Sequence, residues 1–293
     1  MTTLSRRVGA IFLPDYPPEQ LREYVRAAEA AGIDELWLWE DCFKEAAFGS
    51  AGAALAWTDR LRVGIGIAPM PLRNVALTAM EIATVDRMFQ GRLIPGVGHG
   101  VLSWMGQVGA RVASPLTLMR EYVPALRSLL AGENVSTTGR YITLDGVQLD
   151  WPPETPPPVF AAAEGPKTLG VSGEVADGTV LTGGTSVAQV AAARDLIAQG
   201  RAAAGRDGAN EIVVYVAVAF GADAEQRAAA KLAEWGMPGQ TDRILLGDPE
   251  QVAEAVARFH DAGADSVILQ PLAHDDQREF LAGVGVVARL VNP

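Results

Sequence analysis

The chain has 293 residues, with 24 Lys and Arg against 35 Asp and Glu, for a formal net charge of -11. A chain of this length buries roughly 75% of its unfolded surface, so one large hydrophobic core can form without staples, and the single cysteine excludes a disulfide framework and a cysteine-based zinc site. The acidic balance repels nucleic-acid phosphates and anionic lipid alike, and no run approaches the roughly 18 consecutive apolar residues of a membrane span. No nucleic acid and no membrane are expected as partners. The opening MTTLSRRVGAIFLPDY has two arginines before an apolar run but no small-residue cleavage signature, which points to a cytoplasmic protein.

In chain order, Val8–Leu13 reads as a buried strand ending at Pro14, and Leu21, Tyr24, Val25 and Ala28 share one face of a helix closed by Gly32. Leu36–Trp39 is the second strand and ends in Glu40 and Asp41. Leu61–Ile67 is the third, followed by a helix over Val75–Met88, and Leu93–Val97 is the fourth. Leu116, Met119, Val123, Leu126 and Leu130 form one apolar helical stripe ending near Gly132. The alternating runs from Asn134 to Pro158 predict a small hairpin and a rigid proline turn. Val159–Ala162, Thr179–Thr182 and Ile212–Ala219 are strands five to seven, with helices starting after Gly165 and after Ser186, whose cap Gln189 reinforces. Asp248, Pro249 and Gln251 open a late helix closed by Gly263, and Val267–Gln270 is strand eight.

Eight strands alternating with helices predict a single domain over residues 1–293. Its fold class is α/β, a (β/α)8 TIM barrel with short insertions, including the hairpin between strands four and five. An open doubly wound sheet is the competing architecture. In a barrel the chemistry lies just beyond the carboxyl end of each strand. That filter selects Pro14 and Asp15, Glu40 and Asp41, Ala68 to Met70, Gly98 to Gly100, Ala163 to Lys167, Thr182 to Gly184, and Gln270.

Asp41 beside Trp37 and Trp39 is the first candidate for proton transfer, because partial burial raises a carboxyl pKa. Against this, Glu40 could point inward in its place, or both acids could cap the next helix. His99, inside Pro95–Gly–Val–Gly–His–Gly100, is the second, as a hydrogen-bonding or proton-handling group or as a loop histidine held by local backbone. Gly165 and Lys167 at a helix start suit a phosphate, and Arg73, Thr182, Gly183 and Gly184 are further anion candidates. Met70, Trp104 and Met105 fall in predicted loops and, with Trp39, are candidates for a substrate wall or for packing under a lid. His99, His260 and His274 are scattered, no metal site is expected, and no G-x-S-x-G elbow is present.

The segments AAEAAGIDELWLWEDCF, RLRVGIGIAPMPLRNVALTAMEIATVDRMFQGRLIPGVGHG, LLAGENVSTTGRYITLDGVQL and PVFAAAEGPKTLGVSGEVADG together resemble the bacterial luciferase-like superfamily. Within it they look like the F420-dependent oxidoreductases related to methylene-tetrahydromethanopterin reductase, over nearly the whole chain. The resemblance implies a barrel that dimerises through helices near strands two to four and lays a deazaflavin or flavin across the strand ends. It implies a non-prolyl cis peptide and bulge around Gly66, Ile67 and Ala68 against the ring, with Gly98, His99 and Gly100 near its polar edge or chain. Gly165, Pro166 and Lys167 would then meet its phosphate with Thr182 and Gly183 beside them, and Glu164 would also belong to the cofactor site. Two positions depart from the family: Cys42 stands beside Asp41 where histidine is common, and Val101 and Leu102 replace the glutamate of the sugar-phosphate dehydrogenases. A glucose phosphate is therefore not the expected substrate, and a proton would have to move through Asp41 or His99. GVGHGVLSWMGQVGA resembles the deazaflavin users more than the monooxygenases, so coenzyme F420 is the expected cofactor, exchanging a hydride with a carbonyl, imine or activated alkene. FMN-dependent, oxygen-using chemistry with a flavin or F420 reductase as partner, and a non-catalytic flavin-binding protein, are the alternatives.

Overall fold

The computed structural model describes residues 6–272 and 276–292. The chain runs β1 (Arg7–Phe12), α1 (Leu21–Ala30), β2 (Glu35–Leu38), α2 (Ala47–Ala56), β3 (Arg62–Pro69), α3 (Val75–Met88) and β4 (Leu93–Gly98). An excursion follows, with α4 (Leu102–Gln107), α5 (Pro115–Leu130), β5 (Val135–Thr138) and β6 (Thr143–Val147). The alternation then resumes through β7 (Phe160–Ala162), α6 (Pro166–Val175), β8 (Gly178–Leu181), α7 (Val187–Ala203), β9 (Glu211–Phe220) and α8 (Ala224–Glu234). It ends with β10 (Ile244–Gly247), α9 (Pro249–Ala262), β11 (Ser266–Pro271) and α10 (Gln277–Val291).

Eight parallel strands, β1, β2, β3, β4, β7, β8, β9 and β11, close into a barrel through the β8–β9 and β11–β1 pairings. This excludes the open sheet. The β10 strand is an addition that the sequence reading lacks. It pairs with the far end of β9, at Ala217 to Phe220, beyond the stretch where β8 pairs with the same strand. The excursion after β4 is also richer than a hairpin alone. It opens with two helices, and Trp104 and Met105, expected in a loop, lie on α4. The two-stranded antiparallel ribbon of β5 and β6 comes after them. Glu121 on α5 fastens the tip of that ribbon by accepting the backbone N–H groups of Arg140, Tyr141 and Ile142 at 2.7–3.1 Å.

Side chains alternate across each strand, so a barrel strand sends one set inward and the other toward the helices. The inward set forms its own core of Ile11, Leu13, Trp37, Ile94, Phe160, Val180, Val213, Tyr215 and Ile268. Trp37 is fully buried at its centre, and β3 passes it with glycine: a Cβ at Gly64 would lie 2.3 Å from the indole. The outward set joins the apolar faces of the helices in the larger core. The helix starts follow the expected chemistry, with capping boxes at Ser186/Gln189 and Asp248/Gln251. At the amino-terminal mouth, buried Glu35 takes ion pairs from Arg7 at 2.8 Å and Arg62 at 2.9 Å and the Trp37 indole N–H at 3.0 Å. Those partners satisfy a carboxylate that would otherwise be costly to bury. No described helix is long and apolar enough to cross a membrane.

Candidate active site

The inward parity that fills the barrel continues along β2, β7, β8 and β9 and opens into a cavity at the carboxyl-terminal mouth. Beyond Trp37 lies Trp39, beyond Phe160 Ala162, beyond Val180 Thr182, and Tyr215 follows Val213; all four line the cavity. It encloses about 300 Å³. The remaining walls include Glu40 and Asp41 after β2, Gly66, Ile67 and Pro69 from β3, and His99, Gly100, Val101 and Trp104 after β4. Ala163, Glu164 and Gly183 complete the rim.

On the β3 side the pairing with β4 shifts register between Ile65 and Ala68, and the Gly66–Ile67 peptide is cis. The bulge and cis bond expected here are both present. A second non-prolyl cis bond, Cys42–Phe43, was not foreseen. Gly98 lies beneath Ile67, where a Cβ would come within 2.9 Å of the isoleucine side chain. Ala68 is fully buried and, like Gly98, backs the cavity rather than lining it.

The two acids after β2 have separate fates. Glu40 accepts the Ala47 N–H at the start of α2 at 2.9 Å and forms a two-point ion pair with Arg73 at 2.7 and 3.1 Å, so the capping alternative holds for it. Arg73 is also bound by Glu81 at 2.6 Å and stacks over Phe48, which removes it from the anion candidates. Asp41 forms no hydrogen bond or ion pair from its side chain among the described residues. Burial pushes its carboxyl above the usual aspartate range, with Lys44 opposing that shift and Asp15 adding to it. The neighbouring Cys42 thiol is also pushed up, by burial and then by Glu40 and Asp41, which suits a packed thiol better than a nucleophile.

His99 is held by its own turn, with Nδ1 2.8 Å from the Gly100 carbonyl oxygen. A carbonyl oxygen can only accept, so Nδ1 is the donor in this contact. Gly100, at φ +68°, closes this turn over Met105, whose sulfur would be 3.3 Å from a Cβ there. Met105 is fully buried and Met70, in a short 3-10 turn, is 2% exposed, so both support the wall from behind while Trp39 and Trp104 reach the cavity.

Opposite, the Thr182 hydroxyl donates to Glu164 at 2.6 Å, joining the ends of β7 and β8. Gly165 is the N-cap of α6 and has no side-chain cap, which leaves amides free beside Pro166 and Lys167. These three residues are exposed on the rim outside the lining itself. Arg243, next to β10, ties the adjoining turn by donating to the Gly184 carbonyl and to Gln189 Oε1. His260 is remote, bonding the Ala264 carbonyl in the helix layer, and His274 lies outside the described residues. No group of three or more metal-binding side chains occurs among the described residues.

Tyr215 is the wall residue that the sequence reading missed. Its ring packs edge-on to Trp37 and tilted against Trp39, and its hydroxyl points to the Gly66 carbonyl at 3.4 Å. Burial holds the phenol far above its ordinary pKa, and the neighbouring Trp39 side chain offsets only part of that, so the hydroxyl is a neutral donor. The Trp39 indole N–H is buried without a well-formed partner of its own. In the sequence, Tyr215 is one polar-tipped residue in the apolar run VVYVAVAF.

At the mouth of this closed β/α barrel a bulged third strand, a glycine–histidine turn and an uncapped helix start come together, which leaves room for a flat ring and a phosphate-bearing tail. Residues 3–243 match the luciferase-like monooxygenase family, and the chain belongs to it. It is 29% identical over 246 residues to the 5,10-methylenetetrahydromethanopterin reductase of Methanolobus tindarius, covering 84% of this chain and 73% of that protein. Its fold is shared with an F420-dependent secondary alcohol dehydrogenase bound to an F420-acetone adduct, at a TM-score of 0.86 and 20% identity over 99% and 100% of the two chains. It is also shared with the coenzyme F420-dependent tetrahydromethanopterin reductase of Methanopyrus kandleri, at a TM-score of 0.81 and 21% identity over 96% and 97%.

Proposed function

We propose that this protein transfers a hydride between coenzyme F420 and a small organic substrate, a carbonyl, imine or activated alkene. The observation that carries this reading is the single cavity wall formed by Gly66, Ile67, His99 and Gly100, which presents bare backbone and one apolar side chain where a planar ring would lie. The likeness to a methylenetetrahydromethanopterin reductase and to two F420-dependent structures supports the deazaflavin over FMN. Bound there, a deazaflavin supplies hydride exchange at a ring carbon. The residues fit such a group: Ile67 and Ala162 flank the ring site, and the buried Trp39 N–H lacks a partner. Thr182, Gly183 and the uncapped start of α6, with the backbone N–H groups of Gly165 and Lys167, suit a phosphate-bearing chain. Trp39, Trp104 and Val101 exclude water from the substrate, and Asp41 or His99 holds or moves the proton.

The same reading includes a homodimer. On α3 the side chains of Leu77, Met80 and Met88 are 48%, 56% and 59% exposed on the outward side, an apolar stripe suited to a second copy. Fluorescence titration with coenzyme F420 and, separately, with FMN tests the cofactor. Micromolar or tighter F420 binding with weak FMN binding is expected, and preference for FMN would replace hydride transfer with oxygen-dependent chemistry.

A further inference from the structure

Apart from the neutral Tyr215 phenol, every ionisable side chain among the described lining residues is an acid or a histidine, namely Glu40, Asp41, Glu164 and His99, with no Lys or Arg. Two of the acids are already engaged, Glu40 by Arg73 and the Ala47 amide, and Glu164 by the Thr182 hydroxyl. Asp41 is not. Lys44, whose charge acts on Asp41, is exposed and ion-paired with Asp15. The uncommitted carboxylate therefore shares the cavity with the aromatic groups of Trp39, Trp104 and Tyr215. Carboxylate and ring faces both attract an organic cation, and an anion placed beside Asp41, across the mouth from the uncapped start of α6, would meet negative charge with no Lys or Arg in the lining to offset it. Apolar Ile67, Pro69 and Val101 leave the rest of the wall suited to hydrocarbon.

We infer that the substrate of this cavity is a small organic cation with apolar substituents, a protonated amine or an iminium ion, anchored by Asp41 against the Trp39, Trp104 and Tyr215 rings. This rests on the proposed function, in that the cavity is the reaction site, and it narrows the carbonyl, imine and alkene classes to the nitrogen-bearing one. Asp41 then acts by binding, and a substrate that would put an anionic group beside it is disfavoured.

The test uses three probes of similar shape at neutral pH: cyclohexylamine, which is protonated, cyclohexanol, and cyclohexanecarboxylate. Ligand-observed NMR titrations are run on the protein alone and on protein saturated with coenzyme F420. The amine should bind about tenfold more tightly than the alcohol in at least one of the two states, with the carboxylate weakest. Asp41→Asn, checked for native circular dichroism, should bring amine and alcohol within about twofold of each other. Lys44→Met, a change at an exposed residue, should tighten the amine about two- to threefold and leave the alcohol unchanged. Equal binding of amine and alcohol in both states, tighter binding of the carboxylate, or an amine preference indifferent to both substitutions overturns the inference. F420 binding without an amine preference defeats this inference alone, whereas an amine preference without F420 binding defeats the cofactor reading and leaves the cation site standing.

Discussion

The hydroxyl of Tyr215 on β9 stands 3.4 Å from the carbonyl oxygen of Gly66 on β3, across the barrel mouth, and fills the space that any side chain at position 66 would need. A Cβ on Gly66 would fall 1.6 Å from that oxygen. The pair therefore sets how closely the bulge of β3 approaches the cavity. Gly66→Ala should abolish F420 binding, as read by fluorescence titration. Tyr215→Phe alone should retain it at a stability cost of about 1 kcal/mol, and adding Tyr215→Phe to Gly66→Ala should restore part of the lost affinity.

Arg73 is 13% exposed and holds Glu40, itself 9% exposed, together with Glu81. Removing the guanidinium leaves two carboxylates near one another with their shared partner gone. Arg73→Met should destabilise the fold by about 3 kcal/mol in urea denaturation, and Glu40→Gln in the same chain should return a large part of that. A loss under about 0.5 kcal/mol would mean that water satisfies Glu40 in place of the arginine.

Burial raises the Asp41 carboxyl above its ordinary value of 3.8, against the pull of Lys44 and with the help of Asp15. A folded-state pKa above the unfolded one means that the native state holds this proton more tightly. Its contribution to stability therefore falls as pH rises from the unfolded value through the folded one, and stays low above both. Asp41→Asn should melt at a higher temperature than the parent at about pH 8, and the difference should vanish below about pH 4. Calorimetric scans across that range check the sign; an unchanged difference at acid pH would show that the effect is not one of charge.

The exposed stripe on α3 predicts self-association. Met80→Glu should shift the protein from dimer to monomer in light scattering at micromolar concentration, since one charge facing its symmetry mate opposes an apolar contact on both copies at once. The monomer should keep its circular dichroism spectrum, because Met80 is 56% exposed and outside the core.

All eight barrel strands and the caps at Ser186 and Asp248 were legible in the sequence, because each depends on local pattern: apolar runs bounded by turn residues, and a polar side chain three positions ahead of its partner. The β10 strand was not. Its ILLG run is only four residues long, and it is a strand because the end of β9 extends past β8 and leaves an edge to pair. The α4 helix was hidden in the same way, since LSWMGQ is short, contains glycine and has no capping side chain.

Sequence by itself determined the β/α alternation and which loops gather at one mouth, since strand direction and chain order place every β-to-α turn there whatever the details of packing. It also brought Asp41, His99, Thr182 and Glu164 to that mouth. Only the tertiary structure decided that Glu40 belongs to Arg73 while Asp41 is left uncommitted, and that Met70 and Met105 stand behind the wall. Tyr215 reaches it from the middle of an apolar run for the same kind of reason. Those outcomes depend on which side of a strand faces inward and on contacts between residues as far apart as 66 and 215, and a one-residue change of parity would reverse them.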